Sequence, residues 1–223
     1  MRAVLPFAAF TVILGLSPLA AAQETADCPE CVLGIYEDPG MTRNFGTWNA
    51  SAAPSTELFV GIRYGPGAAV GALTGIELSI DGLPFLFLPP AVEGFDTTLD
   101  PDQITGDIRS PADTTLAGGF SLSWDACQPG DRALLRITLI SFAPIPSDQV
   151  VRVRHRFPPS TPPSPAPFLL QCDAPSFTRT RVTGGCYVLN PTVGPGESVA
   201  GCLLSNQTTV RPLTWSGIKS LFR

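Results

Sequence analysis

Apolar and polar residues alternate with a period of two through the middle of the chain, which puts successive side chains on opposite faces of an extended strand. In ELFVGIRY, Leu58, Val60, Ile62 and Tyr64 share one face while Glu57 and Arg63 take the other. In GIELSIDG, Ile76, Leu78 and Ile80 oppose Glu77, Ser79 and Asp81. The apolar set is Phe120, Leu122 and Trp124 in GFSLSWDA, and Ala133, Leu135, Ile137 and Leu139 in RALLRITLI. In QVVRVRHRF, Val151, Val153, His155 and Phe157 lie opposite Arg152, Arg154 and Arg156. Short strands at close spacing, divided by Gly and Pro turns and without a long amphipathic helix, predict an all-β, antiparallel fold. Uneven strand and loop lengths favour a sandwich over a closed barrel.

Both ends of the chain break this pattern. Arg2, the apolar run AVLPFAAFTVILGL and the small residues SPLAAA predict a signal peptide over 1–22, cut near Ala22. The chain is then expected to be secreted, periplasmic or held at the cell surface. The apolar run is shorter than the ~20 residues of a spanning helix and no later stretch qualifies, so no transmembrane segment is expected. The β-sandwich is expected over 23–157. PPSTPPSPAP, residues 158–167, cannot donate to a ladder and reads as a stiff loop or linker. Residues 168–213 hold Cys172, Cys186 and Cys202 with only short apolar runs, which predicts a disulfide-tied extension of the sandwich.

The final ten residues, TWSGIKSLFR (214–223), change period. Trp215, Ile218, Leu221 and Phe222 fall at helical spacing, with Thr214 as N-cap and Leu213 stapled to Ile218. Lys219 and Arg223 suit the C-terminal end of a helix dipole. A helix this short does not hold by itself in water. The tail is expected to dock, either on its own sandwich or on a partner, and we read it as an attachment element.

Charge and cysteine content narrow the field. The chain carries 14 basic and 19 acidic residues, a net charge of −5, which argues against nucleic acid as a partner. All six cysteines (Cys28, Cys31, Cys127, Cys172, Cys186 and Cys202) follow the signal segment. In an oxidising compartment they read as three disulfides in one of fifteen connectivities. The pair in CPEC lacks the βαβ context of a redox motif, and the other cysteines are too spread to complete a zinc site.

Candidate chemistry is thin. His155 is the single histidine, and no G-x-S-x-G elbow accompanies it; GESVAG has the wrong spacing. No catalytic residue and no firm metal site is expected, and no cofactor unless calcium: Asp96, Asp100, Asp102 and Asp107 cluster in a turn-rich stretch that offers oxygen ligands, although Asx-turns explain such residues equally well. If 132–140 and 149–157 form a hairpin, Arg132, Arg136, Arg152, Arg154 and Arg156 share its outer face and form a candidate site for sulfate, carboxylate or phosphate groups. The plainer reading is a solvated face balanced by Glu77 and Asp81. Trp48, in the Gly/Asn-rich NFGTWNAS, is the candidate for stacking on a neutral sugar, whereas Trp124 alternates into the core.

Five segments also carry a resemblance. GIYEDPG, LTGIELSIDGLP, CQPGDRALLRITL, LLQCDAPSFT…VTGGCYVLNP and the terminal TWSGIKSLFR occur in this order. Together they resemble a family of exported bacterial β-sandwich proteins, seen mainly in genomes of poorly cultured phyla, that end in a W..(I/V)K.L(Y/F)R tail. The CPEC opening and the proline loop depart from it. The resemblance implies the fold and carries over no catalytic residue. The expectation is therefore an all-β antiparallel β-sandwich of Ig-like or cohesin-like architecture, with a Cys-rich C-terminal extension and a short terminal helix. The expected role is non-catalytic: a structural, adhesive or cell-surface-associated module meeting a surface or secretion protein, the alternative being a carbohydrate-binding module for extracellular polysaccharide. A small hydrolase ranks third.

Overall fold

The computed structural model describes residues 25–66, 68, 71–84, 86, 89–95, 104–107, 118–156, 166–172 and 178–206. The signal segment, most of the proline loop and the 214–223 tail lie outside them, as do Asp96, Asp100, Asp102 and Phe157. Among the described residues there are strands and turns and no helix. The strands are β1 (Thr25–Tyr36), β2 (Phe45–Gly46), β3 (Ser55–Arg63), β4 (Ala72–Asp81), β5 (Ala91–Gly94), β6 (Ile104–Asp107), β7 (Gly119–Pro129), β8 (Arg132–Ile140), β9 (Gln149–Arg154), β10 (Phe168–Gln171), β11 (Arg179–Gly184), β12 (Cys186–Leu189), β13 (Ser198–Val199) and β14 (Cys202–Leu203).

They build a β-sandwich. One layer runs β5-β8-β3-β1-β11. The other is organised around β4, which pairs with β10 and β7 over its first part and with β9 over Ser79–Asp81. β6 extends the layer beyond β7, and β12 and β2 extend it beyond β9. β10 also pairs with β11, joining the layers along one side. The alternating residues meet in one core: Leu58, Val60, Ile62, Leu135, Ile137 and Leu139 from the first layer, Ile76, Leu78, Leu122, Trp124, Val151 and Val153 from the second.

Most ladders are antiparallel, but β1/β11 and β2/β12 are parallel. Partners this far apart in sequence are free of the short turn that forces an antiparallel pair.

Two expectations are corrected. The β8/β9 hairpin does not form. Both edges of β8 are taken by β3 and β5 and those of β9 by β12 and β4, so the 141–148 connection crosses between layers instead of turning back. At eight residues with Pro144 and Pro146, it exceeds the two to five residues typical of a hairpin loop. Second, 168–184 is no appendage, because β10 and β11 are sandwich strands. The tied extension begins at β12, whose Val188 joins Cys202, Leu204, Phe45 and Val199 in a second, smaller core.

All six cysteines pair, as Cys28–Cys31, Cys127–Cys172 and Cys186–Cys202. CPEC sits where the β1/β11 register shifts, and both sulfurs face the main core. Cys127 lies on a bulge: Gly75 of β4 faces Ser123 while Leu73 faces Gln128, so the intervening residues of β7 loop out. That bulge brings Cys127 to Cys172 just beyond β10, tying together the two strands that flank β4. Cys186–Cys202 closes the extension onto β12.

Glycine is required at Gly61 of β3. A Cβ there would run into the Met41 sulfur and stand 2.9 Å from the Arg132 carbonyl oxygen. Met41, only 4 % exposed, fills the space that a side chain would occupy. Gly61→Ala is therefore expected to lower stability by about 1–3 kcal/mol through overpacking, read as a reduced midpoint in chemical denaturation with unchanged slope.

Candidate functional site

Trp48 is the first candidate to move. It is 3 % exposed, not a free ring. Its indole Nε1–H donates to the Ala53 carbonyl at 2.8 Å and its backbone N–H to Asn190 Oδ1 at 2.7 Å. The Gly/Asn context marks a loop, and this loop folds back over its own tryptophan. Trp48 cannot offer a flat face to a sugar.

The residue that holds it was not singled out from sequence. Asn190 stands at φ 50°, a left-handed conformation that Asn tolerates better than most residues. Its amide nitrogen donates to the carbonyls of Trp48 (3.3 Å) and Ile145 (3.1 Å), and its backbone N–H to Gly46 (2.8 Å). Its own carbonyl accepts from the Asp148 N–H. One side chain thus joins 46–48, 145–148 and the end of β12. Asp148, also at positive φ, accepts from the backbone N–H and hydroxyl of Thr192 at 2.8 and 2.7 Å. Those bonds to Thr192 hold its carboxyl below its usual pKa. The Asn-Pro dipeptide in LNPT was the available turn signal. Thr47, Trp48, Asn49, Ile145 and Pro191 help line a shallow cleft of about 360 Å³ beside this hub.

The arginines do not gather. Arg136 of β8 forms ion pairs with Glu93 and, at 3.7 Å, Glu57. Arg132 is half-buried at the start of the same strand. On and just beyond β9, Arg152 donates to the Ala200 carbonyl, Arg154 pairs with Asp81 at 3.6 Å, and Arg156 donates to Ser121 Oγ at 3.1 Å. With β8 and β9 in different layers the shared outer face does not exist, and internal acceptors engage four of the five guanidiniums.

His155 lies past the end of β9 and is half-buried. Its carbonyl accepts from the Ser79 hydroxyl at 2.7 Å, while its Nδ1 is buried with no partner among the described residues. Glu77 is 9 % exposed and accepts from Ser121 Oγ at 3.1 Å. Of the calcium candidates, Asp107 is described only as backbone in β6 and the other three lie outside. No group of three or more His, Cys, Asp or Glu that could hold a metal occurs among the described residues.

A second groove, of about 460 Å³, lies beside β2 and is lined by Thr42, Arg43, Phe45, Pro195 and Asn206. Arg43 sits 5.9 Å over the Phe45 ring and pairs with Glu37 at 2.6 Å. Burial raises the pKa of Glu37 despite the Arg43 charge, with a further contribution from Asp38. Burial likewise raises the Tyr187 phenol, helped by Glu37. Asn44, between Arg43 and Phe45 in sequence, accepts the Ser205 N–H at 2.8 Å and donates to the Leu203 carbonyl at 2.9 Å. No helix among the described residues is long and apolar enough to cross a membrane.

No protein-family model and no curated protein matches the chain. Among solved structures, it is similar to a cohesin module from the Clostridium perfringens ATCC13124 family 33 glycoside hydrolase, at 12 % identity and a TM-score of 0.41, over 72 % of this chain and 98 % of that one. The seventh ScaB type I cohesin from Pseudobacteroides cellulosolvens aligns at 10 % identity and 0.37, over 78 % and 99 %. A type III cohesin module from the cellulosomal ScaE cell-surface anchoring scaffoldin of Ruminococcus flavefaciens aligns at 14 % and 0.30, over 70 % and 87 %. Likeness at this level says nothing about ligand or partner.

The Asn190 hub yields two expectations. Asn190→Ala should cost about 2–4 kcal/mol, from lost hydrogen bonds and a side chain forced to positive φ. Asn190→Gly should recover about 1 kcal/mol of that, because glycine relieves only the backbone part; thermal or urea unfolding of both variants checks the split. The depressed Asp148 pKa means that its stabilising contribution is complete above the unfolded value of about 3.9 and is lost as pH falls through the folded value. The melting temperatures of wild type and Asp148→Asn should therefore converge on acidification below about pH 4.

Proposed function

We propose that the chain is a secreted, non-catalytic structural or adhesive module of the cell surface, with the peptide 214–223 as its attachment or sorting element. The observation that carries this reading is what the chemically able side chains do. Trp48 is buried under its own loop, Arg136, Arg152, Arg154 and Arg156 are held by carboxylates, a carbonyl and a hydroxyl of the same chain, and Asn190 and Asp148 tie loops together. These side chains, which could otherwise bind a ligand, are engaged in keeping the scaffold rigid.

Three disulfides support a life in an oxidising compartment. For the tail, support comes from the sequence: four apolar residues at helical spacing, on a segment too short to be helical alone, call for a docking surface. The carbohydrate-binding alternative loses the support it drew from Trp48 and the joint arginine face.

The test is deletion of 214–223 in a bacterium that exports and displays the chain. The truncated protein is expected to shift from the cell surface into the medium while still folding to a cooperatively unfolding sandwich. Equal secretion, surface retention and melting temperature would overturn the reading, as would strong wild-type signal on a polysaccharide array.

A further inference from the structure

The last described residues are held firmly. Leu204 is 1 % exposed in the small core, the Ser205 N–H bonds Asn44, and Asn206 forms an antiparallel bridge with Arg43. The bridge fixes where the fold hands over the remaining chain, and Asn206 is itself a wall of the groove that Thr42, Arg43, Phe45 and Pro195 complete. The volume of about 460 Å³ falls within the range of ligand pockets. Phe45 and Pro195 supply apolar surface, and the Arg43 guanidinium over the Phe45 ring supplies a cation beside it.

We propose that this groove is the docking site, within the same molecule, of the amphipathic peptide 214–223, so that the attachment element is sheathed until a partner competes for it. The inference rests on the reading of 214–223 as the attachment element and adds its regulation. Trp215 and Phe222 have the apolar character of the Phe45/Pro195 wall, and an indole ring is the best aromatic partner for a cation such as Arg43. Residues 207–214 are the only tether between Asn206 and Trp215. At ~3.3–3.6 Å per residue they span at most roughly 30 Å, so the peptide remains close to the groove. A short tether gives an effective concentration in the millimolar range. A contact too weak to form between separate molecules is then well populated within one. A surface partner must bind the peptide more tightly than the groove does, which couples release to capture.

Trp215 reports on this directly, since Trp48 and Trp124 are buried. Acrylamide quenching of the purified full-length chain, with Trp215→Phe subtracted as reference, gives the exposure of that one ring. The expected quenching constant is several-fold below that of the synthetic 214–223 peptide, and Pro195→Glu, at an exposed turn position, should raise it to the peptide value while the variant still unfolds cooperatively, with at most the small loss of melting temperature that undocking entails. Arg43→Ala provides a second groove variant should Pro195→Glu fold poorly, and should also raise quenching. Peptide-like quenching in the wild-type chain, or protection unaltered in a well-folded groove variant, overturns the proposal. If Trp215 is exposed yet deletion of 214–223 abolishes surface retention, docking fails and the attachment reading stands. If Trp215 is protected yet deletion changes nothing at the surface, docking stands and attachment fails.

Discussion

β4 pairs with a neighbour on each edge over Leu73–Glu77 and with a third strand over Ser79–Asp81, and the rest of the sandwich is arranged around that fact. β7 and β10 flank its first part, β9 takes over at Ser79–Asp81, and the Cys127–Cys172 bond clamps the two flanking strands together. Both faces of β4 are covered as well. Ile76, Leu78 and Ile80 enter the core, while Glu77 and Ser79 are buried on the other side, where polar groups need partners. Ser121 and the His155 carbonyl provide them. The backbone of the lone histidine is thereby tied to the central strand, and Arg156 beside it is tied to Ser121.

Periphery and centre are stabilised by different means. The sandwich has a continuous apolar core. The 186–206 extension has only a few apolar residues, and relies on Cys186–Cys202 with two asparagines that act as cross-braces: Asn44 for residues 203–205, Asn190 for the loops at 46–48 and 145–148. Both asparagines are half-buried, and each provides donors and an acceptor at once, which no apolar residue could replace.

Legibility from sequence followed face exposure. Alternation appears in β7 and β9 because they bury mainly one face, and in β4, buried on both, because Glu77, Ser79 and Asp81 set polar residues against Ile76, Leu78 and Ile80. β10 and β12 did not register because Phe168 and Leu169, and Tyr187, Val188 and Leu189, are buried consecutively, which erases a period of two. β1 was obscured by CPEC, whose register shift interrupts the strand in mid-course. The conditional arginine face fails because strands adjacent in sequence need not be adjacent in space, whereas the plainer reading keeps the Arg154–Asp81 pair, and Trp48 fails because a loop-like composition says where the backbone turns, not which side chain it shelters. Asn190 could be recognised as a turn residue, but its long-range bonds depend on contacts made 142 and 45 residues away.

The parallel β1/β11 ladder joins the first described strand to one synthesised much later, and the Asp27–Arg181 ion pair spans 154 residues. As the ribosome elongates the chain, β1 appears early and can pair with β3, yet its other edge has no native neighbour until β11 is made. During that interval it is an open template for another nascent chain, the hazard of any unpaired edge. The local Cys28–Cys31 loop needs no distant residue to close and sits where that ladder's register shifts, so it can interrupt the regular edge as soon as the segment meets an oxidising environment. A bond that contributes little by loop length can thus act as a guard against edge-to-edge association before β11 docks.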